Sequence, residues 1–347
     1  MASIKVINPG MYTTIQDLGR TGYQEYGVTV SGSMDQFAHR IANLLVGNNQ
    51  NEALLEMTIM GGSFIFNSDT FISITGADMK PMLNNSIRLD LWRTIKIQKG
   101  DIITFGAAKN GCRSYLSIAG GFELPTIMNS KSTYVRGKFG GFKGRALKKD
   151  DEILLNNDIC NEEELSGRFI DLKTVPKYNN KVNIRVILGP QDDEFSEEGI
   201  FDFLNNPYKV SSEFDRMGYR LEGTEIKHLK TADIISDGIV KGAIQIPGKG
   251  QPIIMLADCQ TTGGYTKIAH VISSDLWKIA QLKPNDEISF IKVDIKNAHE
   301  ILKEQEEIIN KIIKGFDKQR LKVEKNLKIA INNKTFIVKV NEISETY

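Results

Sequence analysis

Short apolar runs dominate the chain, and most are rich in β-branched residues rather than repeating every three or four positions. FISIT (71–75), GDIITF (100–105), IIMLA (253–257) and NDEISF (285–290) are each set off by Gly, Asn or Asp, the punctuation of strands joined by turns. Long helical patterns do not alternate with these strands, so a doubly wound parallel sheet is disfavoured and a barrel or sandwich is expected. Two segments depart from the pattern. From Met34 to Val46, the residues Phe37, Ile41, Leu44 and Leu45 share one helical face, and Gly47 with Asn48 supplies a stop. Ser31 or Ser33 is the expected cap, leaving Asp35 in the first turn, where a carboxylate suits the helix dipole. Near the end, Ala298, Ile301, Leu302, Ile308, Ile309, Ile312 and Ile313 have helical spacing, and LKIAINNKTFIVKV then alternates around Asn332 and Asn333 as a hairpin.

The pattern also repeats. An offset of 180 places Ile4, Lys5, Val6 and Ile7 on Ile184, Arg185, Val186 and Ile187. It also places Val30, Ser31, Met34, Asp35 and Arg40 on Val210, Ser211, Phe214, Asp215 and Arg220, and Ala77 and Asp78 on Ala257 and Asp258. Beyond that point the offset becomes 185, which brings Asp90, Leu91 and Trp92 onto Asp275, Leu276 and Trp277. One offset, changed once and then held, implies a duplicated unit. The division expected is a first β repeat over 1–110, a glycine-rich basic connection over 111–180, a second repeat over 181–293, and a helix-and-hairpin appendage over 294–347.

The change of offset gives the second copy extra residues between Asp258 and Asp275. Gln260, Thr261 and Thr262 supply hydrogen-bonding groups there, while Gly263 and Gly264 permit close backbone approach and Tyr265 follows. A polar insertion after an apolar strand reads as a functional loop. In the connecting segment, Gly140, Gly141 and Gly144 stand beside Lys138, Lys143 and Arg145, a set able to cradle an anion although it matches no Walker motif.

Composition narrows the chemistry. Lys and Arg number 44 against 43 for Asp and Glu, so no global field draws the chain to nucleic acid or an anionic membrane. The start lacks an apolar stretch behind basic residues, and no run of 18 apolar residues occurs, so a cytoplasmic protein is expected. Cys112, Cys160 and Cys259 fit no disulfide or zinc pattern, and His39, His228, His270 and His299 are scattered; no metal site is expected.

Five ordered stretches carry a resemblance over roughly residues 4–292. They are INPGMYTTIQDLGRTGYQEYGVTVSGSMDQFAHRIANLLVGN, RSYLSIAGGF, STY with GGFKGRAL, FDRMGYRLEG, and IIMLADCQTTGGYTKIAHVISSDLWKIAQLKPNDEISF. Together they are similar to the biotin-dependent carboxyltransferase family, also called allophanate hydrolase subunit 2. The resemblance implies a mainly β protein of two duplicated cyclophilin-like β-barrel subdomains with a few short helices, to which the C-terminal helix and hairpin read from the residue pattern are added outside the match. It implies ATP-dependent opening of 5-oxoproline to L-glutamate, shared with 5-oxoprolinase subunits A and B, and a small amide as substrate. Two other roles follow from it. One is carboxyl transfer to urea or a similar amide from a biotinyl partner, the only reading that calls for biotin; the other is binding of the B subunit to regulate a kinase.

The candidate catalytic residues are Gln260, Thr261, Thr262 and Asp35. Arg20, Asp215, Arg216, Gly263, Gly264 and Tyr265 are candidates for substrate binding, and Ser132, Lys143 and Arg145 for an anion or nucleotide. Two motifs depart from the family pattern: its usual GSRST reads Asn129, Ser130, Lys131, Ser132, Thr133, and its DRQTTGGYP has Cys259 for Arg and Thr266 for Pro. Lys is a point charge and Cys carries none, so a bidentate anion contact is lost at both places.

Overall fold

A computed structural model describes residues 1–156, 162–316, 321–331 and 334–343. The protein is mainly β. The first half divides its strands between two sheets. One runs, in spatial order, Glu152–Leu154, Ser3–Asn8, Ser63–Phe66, Ile102–Thr104, Met82–Leu83 and Ile87–Arg88. The other runs Tyr12–Gln16, Leu54–Thr58, Arg113–Ile118, Thr70–Gly76 and Thr94–Ile97. Both bury the same core, in which Val6, Phe64 and Ile103 of the first sheet join Leu55, Ile74 and Leu116 of the second. Burial of such side chains contributes roughly 25 cal/mol per Å² of apolar surface removed from water.

The second half closes. Lys181–Leu188, Lys267–Val271, Ala243–Gln245, Ile253–Met255, Gly218–Glu222, Tyr208–Phe214 and Glu287–Lys292 form a barrel. Its seam is the one parallel pairing among the strands described, with Ile184 opposite Phe290. A two-stranded ribbon, Asp233–Gly238 with Thr262–Tyr265, stands beside it.

The helices are α1 (Gln36–Leu45), α2 (Glu162–Leu165), α3 (Glu197–Asn205), α4 (Leu276–Ala280) and α5 (Ile295–Phe316). Asp35, not Ser31 or Ser33, caps α1: its Oδ1 accepts the Ala38 N–H at 2.9 Å. Ser33 instead shares a 2.6 Å hydrogen bond with His39 Nδ1, and Ser31 lies at φ 56°, turned away from the helix start. α5 lays Ile309 and Phe316 against α1, Trp92 and Tyr115. The hairpin that follows pairs Leu321–Ile331 with Lys334–Ile343, and Asn332 and Asn333 lie outside the described residues.

The offset of 180 sets strand against strand at Ser3–Asn8 with Lys181–Leu188, and at Ser63–Phe66 with Ala243–Gln245. It fails over α1, whose counterpart by sequence is the strand Gly218–Glu222. The offset of 185 fails at the tryptophans, because Trp92 occupies a bend at φ 62° while Trp277 sits inside α4. The matching Asp, Leu and Trp residues serve different local structures.

Candidate functional site

Three segments meet at a cavity of about 380 Å³: Met11, Tyr12 and Ile59 from the first half, Val135 and Arg136 from the connection, and Phe214–Met217 with Asp258 from the second half. Strand ends build its floor. Arg216 occupies a tight turn between two barrel strands, held by Asp215, whose Oδ1 accepts the N–H groups of Met217 at 2.7 Å and Gly218 at 3.1 Å. The turn aims Arg216 inward. Its Nε donates to Asp258 Oδ2 at 2.9 Å, Nη1 to Glu56 Oε1 at 2.5 Å and Nη2 to the Gly32 carbonyl at 2.6 Å.

Arg113, at the start of the strand Arg113–Ile118, completes the floor from the other side. Its Nη1 donates to Tyr219 Oη at 2.6 Å and to the Ala280 carbonyl at 2.5 Å. Its Nε has no hydrogen-bond partner and faces Glu56 Oε1 across 3.9 Å. Glu56 also accepts the Met34 N–H at 2.8 Å. Two guanidiniums thus face two carboxylates, all buried. Burial pushes the Glu56 carboxyl up, and Arg216 and Arg113 more than offset that, holding it below its ordinary value. Burial alone would depress both arginines, yet the surrounding groups, Asp258 for Arg216 and Tyr219 for Arg113 first among them, hold them above the usual range.

A second cavity of about 530 Å³ shares Arg136, Phe214, Asp215 and Met217 with the first, so the two form one trough. Gln260 and Tyr265 line this outer part together with Gln245 and Arg220. The insertion is therefore half ribbon: Thr262–Tyr265 is a strand, with Thr262 opposite Gly238. The Thr261 carbonyl accepts the Ile239 N–H at 2.9 Å. Gly263 is small for a packing reason, since a Cβ there would lie 2.3 Å from Ile239 Cδ1 and 2.8 Å from Gln245 Nε2. Gly264 is less constrained, its nearest neighbour being the Ile234 carbonyl at 3.4 Å.

The other sequence candidates lie outside the trough's lining. Asp35 is buried behind the floor, where its Oδ2 accepts from Gln281 Nε2 at 2.8 Å and Tyr178 Oη at 3.2 Å. Burial raises its carboxyl to about 6, against those hydrogen bonds. Arg20 is fully buried, stacked 4.9 Å from the Phe139 ring and bonded through Nη2 to the Ser132 carbonyl.

The connecting segment is occupied with itself. Ser132 Oγ donates to Asp17 Oδ1 at 2.5 Å, and Arg145 makes a bidentate pair with Asp151 at 2.6 and 2.7 Å. Lys143 lies over the Phe142 ring at 4.8 Å. The expected anion cradle is corrected by packing: a Cβ on Gly140 would meet the Ser132 carbonyl at 2.1 Å, one on Gly141 the Thr133 Oγ1 at 1.9 Å, and one on Gly144 the Lys138 backbone at 2.2 Å. These glycines seat one loop on another.

A larger cavity, about 670 Å³, lies under α5 beside Trp277, but Arg185 and Lys278 at its edge are both tied to Asp275. Sequence reasoning passed over Glu56, Arg113, Asp258 and Tyr12. The signal for two of them was a charge inside a strand that is otherwise buried, as in LLEMT and RSYLSI. It also passed over Lys241, whose Nζ reaches the Ser33 and Met34 carbonyls at 3.3 and 3.4 Å and which burial, reinforced by Arg216, lowers to about 8.

Residues 26–292 match the profile of the carboxyltransferase domain, subdomain A and B. The chain belongs to the carboxyltransferase-domain family. It is 35% identical over 303 residues to the 5-oxoprolinase C subunit of Escherichia coli, covering 87% of this chain and 95% of that one. It is 34% identical to the protein of the same name in Haemophilus influenzae, covering 91% and 99%. The crystal structure of the K. lactis urea amidolyase superposes with a TM-score of 0.84 at 33% identity, over 89% of this chain but only 20% of that larger one.

In this carboxyltransferase domain the trough offers donors and acceptors side by side, and the described residues bring no nucleophile, base and orienting group together there. Arg113, Arg216 and Asp258 line its inner part, and Glu56 is buried behind them, accepting from Arg216 and from the Met34 N–H. Cys112 and Cys259 are buried free thiols, and burial, with Asp258 nearby, raises Cys259 to about 11, which keeps it protonated and unreactive. No helix among the described residues is long and apolar enough to cross a membrane.

Proposed function

We propose that this chain is the C subunit of an ATP-dependent 5-oxoprolinase, which opens 5-oxoproline to L-glutamate together with subunits A and B in the cytoplasm. One observation carries the reading: the match to free-standing 5-oxoprolinase C subunits runs almost end to end, 95% and 99% of their length. The floor supports it. A lactam presents one carbonyl and one N–H, and the side chains of Arg113, Arg216 and Asp258 that line the trough include donors and an acceptor for them.

A resonance-stabilised lactam needs activation, which is the use of ATP in this reading. The connecting segment does not fit a triphosphate, because its glycines are packed against Ser132, Thr133 and Lys138 and Arg145 is paired with Asp151. In this reading the nucleotide is bound by, or shared with, a partner subunit. The test is ATP hydrolysis driven by 5-oxoproline in a mixture of the three subunits and in mixtures lacking one. Gln260→Ala in this chain is expected to abolish that turnover while leaving urea unfolding unchanged; an undiminished rate would refute the role given to the trough's outer wall.

The superposition on urea amidolyase favours a second reading, carboxyl transfer from biotin to a small amide. The ureido ring of biotin presents a carbonyl beside nitrogen, as a lactam does, so the donors lining the trough suit its carbonyl as well. Dependence of turnover on a biotinylated partner, abolished by avidin, would select this reading over the first.

A further inference from the structure

The trough's floor is electrically balanced and its mouth is not fully engaged. Arg113 and Arg216 are matched by Glu56 and Asp258 in a region almost closed to water. A carboxylate pushed into that floor would add an unmatched negative charge where screening is weak, a cost of several kcal/mol. A neutral amide adds none. The anionic end of a substrate must therefore stay outside.

Arg136 waits there. It is the residue of the connecting segment that lines both parts of the trough. Its side chain is 64% exposed, makes no hydrogen bond among the described residues, and meets Asp215 Oδ2 only at 3.9 Å. The other oxygen of Asp215 is engaged in the turn, taking the Met217 and Gly218 N–H groups. By contrast, Arg216 has each of its three nitrogens bonded.

The turn that presents Arg136 is tightly specified. Tyr134 N–H bonds the Phe139 carbonyl at 3.0 Å, and the rings of these residues meet edge to face at 5.6 Å. A Cβ on Gly137 would lie 2.4 Å from Tyr134 Cδ1. The guanidinium therefore moves on a fixed base, with five N–H donors in a planar fork that fits a carboxylate in two-point fashion.

We infer that Arg136 is the carboxylate-reading residue of this site: it grips the carboxylate of 5-oxoproline at the mouth while the lactam enters the balanced floor. This rests on the functional reading given above and adds to it the source of selectivity for an anionic lactam over a neutral amide.

The test compares 5-oxoproline with 5-oxoprolinamide, the same ring with its carboxylate replaced by a neutral amide, in the reconstituted three-subunit complex. The KM for 5-oxoproline and the inhibition constant of 5-oxoprolinamide are measured with wild-type chain, Arg136→Gln and Arg136→Lys. A charge-assisted hydrogen bond of ordinary strength predicts that Arg136→Gln raises the KM roughly ten-fold or more, with kcat falling less. The constant for the amide is expected to move less than about two-fold, and Arg136→Lys to recover part of the loss as a point charge. Equal losses for both ligands, or no change in either, would overturn the assignment while leaving 5-oxoprolinase activity standing. A wild-type complex inert toward 5-oxoproline would instead overturn the functional reading, and this inference with it.

Discussion

Two buried groups at the start of α1 should make opposite contributions to the pH dependence of stability. Asp35 is raised by burial from an ordinary 3.8 to about 6, and His39 is lowered by burial from 6.5 to about 4. The folded state accepts a proton on Asp35 more readily than the unfolded chain does. Its contribution is therefore complete below pH 4 and lost as pH rises through 6. His39 resists protonation when folded, so its contribution is complete above pH 6.5 and lost as pH falls toward 4. Each displacement is worth about 3 kcal/mol, and in the wild type they nearly cancel across the same window.

Asp35→Asn removes one side of that balance. The variant loses stability outright, because an amide nitrogen replaces the oxygen that accepts from Gln281 and Tyr178. The diagnostic is the slope. Urea unfolding followed through Trp92 and Trp277 at steps from pH 4 to pH 7 should show the variant losing about 3 kcal/mol more than wild type as the medium is acidified. His39→Gln should show the reverse, gaining relative to wild type by a similar amount. Parallel profiles for wild type and Asp35→Asn would refute the reasoning, since they would mean that the carboxyl titrates alike in both states.

Glu56→Gln leaves two buried guanidiniums facing one carboxylate and should cost about 3–5 kcal/mol in urea unfolding. Glu306→Gln, which breaks the part-exposed pair with Arg40, should cost about 1 kcal/mol or less and serves as the control. Gly141→Ala forces a side chain into φ +53° and onto Thr133 Oγ1. It should lower stability by more than about 1 kcal/mol and speed proteolysis of the connecting segment, read by gel after a brief protease pulse.

What the sequence disclosed follows from which interactions are local. The α1 pattern was legible because Phe37, Ile41 and Leu45 are buried at helical spacing, and the strand runs were legible because their period and turns are local too. The cap was misplaced by two or four residues because Ser31, Ser33 and Asp35 all qualify chemically. Only tertiary packing, with Ser33 taken by His39, decides among them. The polar insertion was visible by its offset, and Gln260 and Tyr265 do line the trough. Its glycines, however, answer to Ile239 and Gln245, neighbours that no local pattern names. The floor was hardest to see, because Glu56 and Arg113 become partners only when strands separated by 57 positions are brought together.

Gln281 closes an unusual arrangement. From the second half, its Oε1 receives the backbone N–H groups of Cys112 and Arg113, while its Nε2 donates to Asp35 and to the Arg113 carbonyl. Arg216 makes the matching reach from barrel to Gly32 and Glu56. The trough's floor is thus also the mortar between the two repeats. Substitutions in the floor are expected to loosen the whole molecule, whereas substitutions at the rim are not, which leaves the outer wall as the part of the trough free to vary.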